Sequence, residues 1–418
     1  MDDEIVDLII IGGGAAGFFG GILAAEKRPG LKILILEKST KILSKVKVSG
    51  GGRCNVTHNC ENPFRLADHY PRGEKSLKSL FKVFNVTDMV RWLGDHGVQL
   101  KTEEDGRMFP ITDDSQTIID CFLRSSAQHG IKIKFNSAVE SIRKNNEVFQ
   151  ITCQDGVYLS HSVLVASGGN SKPDAYRFLE ESGHRIVPPI PSLFTFNDPA
   201  KKFTELMGVS VQSAEIRITG TKLSQRGPIL LTHWGLSGPA VIKLSAWAAP
   251  YLHEKNYDFT VHINWTTLEK EDDVREHLLK VKQDRPKQKI MRYGPFALPS
   301  RLWERFCVLS EIDEEKIWGE ISAKTLNRLL ENVFRCSFNI RGKTTFKDEF
   351  VTCGGVDLQD IDLQNMESRK LTRLYFAGEV LNMDGETGGF NFQAAWTTAF
   401  VAANAIAGST PFTSVSRS

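Results

Sequence analysis

Three glycines at fixed spacing open the chemistry of this chain. In IIIGGGAAG, Gly12, Gly14 and Gly17 follow a β-branched run and precede an Ala-rich stretch, with Ala15 and Ala16 between them. A first glycine permits a tight turn, a second lets backbone approach a pyrophosphate, and a third lets a helix pack close to a strand. Glu37 stands 20 residues after Gly17 at the end of the next apolar run, with Lys38 beside it. An acid there can accept from a ribose hydroxyl, so the spacing predicts a dinucleotide site rather than a bare glycine turn. A second cluster reads KVSGGGRCNVTHN. Gly50, Gly51 and Gly52 can present successive amides to an anion, while Lys47, Ser49, Arg53 and Asn55 add charge and hydrogen bonds around Cys54.

The fingerprint occurs once, with no second copy for a separate nicotinamide domain. Two further segments favour FAD. VLVASGG ends an apolar run in Ala166, Ser167, Gly168 and Gly169, and LYFAGEVLNMDGETGGFNFQAAW carries Gly378, Glu379 and Asp384 before a turn at Gly388-Gly389. Both resemble motifs of the glutathione-reductase-like flavoproteins, with Glu379 where that pattern usually has aspartate. A helix starting at Phe390 and Asn391 would aim its positive end at the pyrimidine end of a flavin.

Longer blocks resemble one bacterial flavoprotein family. KVSGGGRCNVTHN, DGRMFP, LLTHWGLSGPA, FVTCGGV and the segment from LYFAGEV onward are similar to the NAD(P)/FAD-dependent oxidoreductases that include aminoacetone oxidase and a 3-dehydro-bile acid reductase. The resemblance spans nearly the whole chain. It implies a glutathione-reductase-like, Rossmann-type α/β FAD domain with an inserted antiparallel β-barrel-like domain and a small helical domain. Two departures are visible: His58 stands where the family usually has Asn, and NSKPDAYRF follows ASGG where members often have Tyr-Pro and more glycine.

Other reactive residues are weaker signals. Cys54 and Cys60 are spaced C-x5-C, one residue longer than the pair of flavin-linked disulfide reductases. A packed cysteine is favoured over a thiol activated by Arg53 and Lys47. Cys54, His58 and Cys60 lack a second ligand pair at zinc spacing, so no metal site is expected. His233 and Trp234 end a strand before a Ser-Gly-Pro turn. They are read either as a catalytic pair over flavin or substrate, with His233 moving a proton, or as a structural turn. Arg107 could bind a carboxylate or form an ion pair.

These residues need a scaffold. IVDLIII, the helix AAGFFGGILAAEK and the strand KILILEK make a βαβ unit. SLKSLFKVFNVTDMVRWLGDHG reads as one helix. PPIPSLFTF is proline-rich, like a boundary, and the text after it alternates as an antiparallel sheet would before turning helical and charged. The expected domains are FAD-binding at 1–190 and 346–418, an inserted β domain at 191–265 and 331–345, and a helical insert at 266–330. With 52 basic and 50 acidic residues among 418, there is no global bias toward nucleic acid or an anionic membrane. No apolar run approaches the length of a span, and seven scattered cysteines fit a reduced, cytoplasmic protein.

The expected function is an FAD-dependent oxidoreductase passing two electrons, as hydride, between flavin N5 and a small organic substrate. NAD(P)H, bound transiently, or oxygen would be its partner. An oxidase of a small amine and a reductase of an unsaturated carbonyl compound both fit. Near-zero net charge speaks against an RNA-modifying flavoprotein, and a non-catalytic redox scaffold is the remaining alternative.

Overall fold

A computed structural model describes residues 5–344 and 351–409. The chain folds as two units, a first formed by 1–191 with 347–418 and a second by 192–346. The boundary expected from the sequence at 345/346 lies outside the described residues.

The first unit is built on five parallel strands, because its apolar runs are buried on both faces and cannot alternate. In chain order these are β1 (Ile5–Ile11), β2 (Ile33–Leu36), β3 (Lys132–Lys134), β4 (Gly156–Val165) and β5 (Leu374–Phe376). Across the sheet the order is β5, β4, β1, β2, β3, extended beyond β5 by two short strands and flanked at β4 by the hairpin Val139–Asn145/Val148–Cys153. Ile11 pairs with both Leu36 and Val165, Val165 with Phe376, and Leu36 with Lys134. All five strands therefore end level.

Two apolar helices, α1 (Ala15–Lys27) and the 19-residue α3 (Phe390–Gly408), cover the sheet. Between them in sequence lies α2 (Ser44–Gly52), whose helical dihedrals stop at Ser49, where Gly50 and Gly51 turn left-handed. Phe19 packs edge-on against Trp92 and Trp396 in this core. The single helix expected from residue 76 onward is two, Glu74–Leu80 and Val86–Asp95. Asn85 starts the second with a capping box: its side chain accepts from the first turn while Asp88 accepts from Asn85 N–H at 2.9 Å.

The second unit holds a seven-stranded antiparallel sheet and the helices Pro239–Glu254, Glu271–Asp284, Ser300–Leu309 and Ala323–Phe334. Sheet residues such as Ile216 and Phe338 share one core with Trp303, Phe306 and Leu329 of the charged, helical stretch. No helix among the described residues is long and apolar enough to cross a membrane.

Candidate functional site

Level strand ends gather the motifs along one edge, outside the carboxyl ends of the parallel strands, where ligands of such sheets bind. Gly12 follows β1 with φ +111°, a conformation that side chains disfavour, and a Cβ there would lie 2.9 Å from Ser167 Cα. Its N–H donates to Leu36 O at 2.8 Å. Gly14 is the N-cap of α1, makes no side-chain cap and would place a Cβ in open space. The first turn of α1 holds no acidic residue, so its amides and partial positive charge face an uncapped opening. Ala16 is buried, and Gly378 (φ +78°) approaches it so closely that a Cβ would sit 2.9 Å from Ala16 Cβ.

Glu37 closes one side. Its Oε2 accepts from Gly13 N–H at 2.9 Å, and its Oε1 accepts from Ser39 N–H and Oγ at 2.9 and 2.8 Å. Beside it lies a cleft of about 500 Å³ lined by Gly12, Lys38, Val139, Ser167, Gly168 and Tyr176. Tyr176 Oη accepts from Asn170 N–H at 3.0 Å, and burial pushes the phenol pKa up, so it stays neutral. NSKPDAYRF thus supplies a wall of this cleft, next to the acid. Residues 137–140, which lead into the hairpin, form part of the lining as well, a role that nothing in their sequence signals.

At the β5 end, Glu379 Oε2 pairs with Lys45 Nζ at 2.5 Å, and its Oε1 accepts from Thr352 N–H at 3.1 Å. A Cβ on Gly169 would come within 2.6 Å of Glu379 Oε1, so a side chain there would have to displace that carboxylate. Ala166 N–H donates to Ile11 O, which ties the β4 loop to β1.

The 47–55 loop divides. A Cβ on Gly50 would press on the Phe109 ring at 2.7 Å, whereas Gly51 (φ +70°) and Gly52 (φ +86°) face open space. Ser49 Oγ donates to Val46 O, and Lys47 Nζ donates to Gln116 Oε1 at 2.9 Å. Arg53 lies over the Phe109 ring at 4.0 Å and pairs with Glu103 at 2.5 Å and Asp113 at 3.5 Å. Arg107 likewise pairs with Glu103 and Asp105. Cys54 is fully buried at φ +61°, and burial pushes its thiol up to about 12. It is a wall residue, not a thiolate. Asn55 reaches the start of α3: its amide oxygen accepts from Gly389 N–H and its nitrogen donates to Thr57 O, both at 3.0 Å.

The turn before α3 is packed to the limit, and a Cβ on Gly389 would lie 2.6 Å from the Thr57 carbonyl. Gly388 O accepts from His58 Nδ1 at 3.1 Å, and the Phe390 ring stacks on His58 with centroids 4.6 Å apart. Asn391 accepts from Gly385 N–H and donates to Gly385 O, at 2.8 and 2.9 Å. Asp384, fully buried, holds Arg72 in a bidentate ion pair. Lys45, Arg72, His69 and Glu386 belong to this region and carry no motif signal of their own, although Glu386 lies inside the GETGG stretch.

His233 and Trp234 lie in the second unit. Trp234 Nε1 donates to Thr195 Oγ1 at 3.0 Å, and His233 is exposed, edge-on to the indole at 4.4 Å. Among the described residues no group of three His, Cys, Asp or Glu could hold a metal ion.

A glycine cradle that a Cβ would fill, an uncapped helix start, a carboxylate and an adjoining cleft of about 500 Å³ together fit a dinucleotide. Comparison with known proteins agrees. The family profile of the HI0933-like protein Rossmann domain matches residues 6–405. The chain is 30% identical over 409 residues to a protein of Escherichia coli K12 called ribosomal RNA dihydrouridine synthase, covering 96% of this chain and 98% of that one. It is 24% identical over 406 residues to a 3-dehydro-bile acid delta(4,6)-reductase of Clostridium scindens, covering 95% and 98%. Among solved structures, a 3-ketosteroid-delta4-(5alpha)-dehydrogenase of Rhodococcus jostii RHA1 shares the fold at a TM-score of 0.54 and 12% identity, covering 97% of each chain.

Proposed function

The chain belongs to the HI0933-like Rossmann-domain family, and from that premise we propose that this FAD-dependent oxidoreductase reduces a carbon–carbon double bond conjugated to a carbonyl, in a uracil base of ribosomal RNA. The observation that carries the reading is the full-length match to a ribosomal RNA dihydrouridine synthase. The second relative adds weight, because its named substrate is chemically remote and yet shares the reacting group. A 3-dehydro-bile acid with 4,6-unsaturation and a uracil ring both present an alkene in conjugation with a carbonyl.

When bound, FAD supplies hydride transfer at flavin N5. Gly12, Gly14 and Gly17 and the start of α1 would hold its pyrophosphate, and Glu37 its ribose. Glu379, Lys45 and the open amides of Gly51 and Gly52 would meet the ribityl chain, with Asn55 and the Gly388-Gly389 turn at the pyrimidine end. Reducing an alkene consumes two electrons, so an external donor is required, and NAD(P)H is assigned that part.

The second unit favours a polyanion. Residues 192–346 contain 23 Lys and Arg against 18 Asp and Glu, whereas the rest of the chain has 29 against 32. His233 and Trp234, an exposed imidazole and an indole on that unit, are assigned to substrate contact. The test is to incubate purified holoenzyme with NADPH and unmodified ribosomal RNA, digest the RNA and measure dihydrouridine. Appearance of dihydrouridine supports the reading. Its absence, together with reduction of a 4,6-unsaturated 3-oxo steroid, moves the substrate to the lipophilic enones suggested by the Clostridium relative.

A further inference from the structure

The turn before α3 carries a cluster of ionisable side chains that the nucleotide cleft does not use. The Glu386 carboxylate, whose side chain is only 7% exposed, accepts from His69 Nδ1 at 3.1 Å. His69 itself is 33% exposed. With Nδ1–H committed to the carboxylate, Nε2 is the ring atom left to exchange protons.

The pair is fixed from several sides. Glu386 N–H donates to His69 O at 2.9 Å, so backbone as well as side chains join the two residues. Asn391 Nδ2 also donates to Glu386 O at 3.4 Å. The imidazole lies flat on Phe390, with centroids 4.3 Å apart and planes within 15°. The next residue, Tyr70, donates its hydroxyl to Phe390 O at 2.6 Å. A buried carboxylate accepting from Nδ1–H selects the tautomer and leaves Nε2 as the atom that can carry a proton to substrate. A loop anchor alone requires the hydrogen bond. It does not require a stacked, part-exposed imidazole next to the turn assigned to the flavin.

We propose that His69 is the proton donor of the reduction, with Glu386 as its positioning residue. This rests on the reading of the chain as a reductase of conjugated alkenes. Hydride from reduced FAD forms a bond to the β-carbon, and the alkene π pair moves to the α-carbon. That carbon takes the proton from His69 Nε2, which is left as neutral imidazole. Solvent returns the proton through the exposed face, and NAD(P)H restores the two electrons.

The test uses holoenzymes of wild type, His69→Gln and Glu386→Gln, each checked for FAD content and melting temperature. After anaerobic reduction with NADPH, unmodified ribosomal RNA is mixed in. The expected result is bleaching by NADPH at the wild-type rate in all three, with reoxidation by RNA slower by about a hundredfold or more in His69→Gln. Glu386→Gln should lose about tenfold. Wild-type reoxidation in His69→Gln overturns the proposal, as does equal slowing of both half-reactions. If RNA fails to reoxidise the wild type, the substrate reading falls, and cyclohexenone serves as the probe: an unimpaired His69→Gln with cyclohexenone overturns the proposal. A second readout needs no turnover. In ¹⁵N NMR of the FAD-free protein, neutral His69 should be the Nδ1–H tautomer, and finding Nε2–H would overturn the dyad.

Discussion

Gly17 lies against the loop at Gly12 so closely that a Cβ on Gly17 would overlap the Gly12 carbonyl oxygen and touch Ile10 Cγ2 at 3.2 Å. The third glycine of the fingerprint thus fixes α1 to β1 and sets where the amides of the first turn point. Gly17→Ala should destabilise the protein by about 1–3 kcal/mol through overpacking and tilt the helix start away from the phosphate. A lower melting temperature without cofactor, together with loss of FAD on gel filtration, is the expected outcome. Unchanged FAD retention would mean that the pyrophosphate lies elsewhere.

Glu37 holds the Gly13 amide and Ser39 before any ligand arrives. Glu37→Gln should weaken FAD binding by about tenfold, close to 1.4 kcal/mol, by removing a charged acceptor. Calorimetric titration of the FAD-free protein measures it, and an affinity equal to wild type would remove Glu37 from the site.

In the 47–55 loop, glycine matters more than cysteine. Gly51 has φ +70° and open space around it, so Gly51→Val acts through backbone strain of about 1–2 kcal/mol rather than through a clash. It should weaken FAD retention more than Cys54→Ser. Loss of both flavin and turnover in the serine variant alone would reverse that ranking.

Burial raises the Cys54 thiol to about 12, so below that pH the folded protein keeps it protonated. Native protein at pH 8 should leave Cys54 unmodified by iodoacetamide in peptide mapping, and unfolded protein should be labelled there. Rapid labelling in the native state would show an exposed or activated thiol.

Asp384 is fully buried against Arg72, whose side chain is 15% exposed. Asp384→Asn removes the buried carboxylate from this ion pair and should cost about 3–5 kcal/mol of stability. Urea unfolding checks this, and a loss under about 1 kcal/mol would mean that water compensates Arg72.

What the sequence reveals here is mostly local backbone demand. Gly12, Gly14 and Gly17 are legible because a turn, an opening and a close contact each exclude a Cβ within a few residues. Glu37 is legible because the helix length fixes its spacing. Side-chain commitments are not local: Arg53 looks like a phosphate ligand beside three glycines, yet it is bound to Glu103 and Asp113, 50 and 60 residues away. His69 and Glu386 are 317 residues apart and meet only because their segments run side by side. The break at Asn85 hides inside an apolar pattern that continues on both sides. Net charge averages over the chain, and a basic insert and an acidic remainder cancel to +2.

The proposed electron path runs from NAD(P)H through FAD to a conjugated alkene in RNA. It is tested most directly by following the visible flavin band of the holoenzyme without oxygen. NADPH or NADH should bleach the band, and unmodified ribosomal RNA, added next, should restore it as dihydrouridine forms in equal amount. A band that NAD(P)H bleaches but ribosomal RNA does not restore would contradict it.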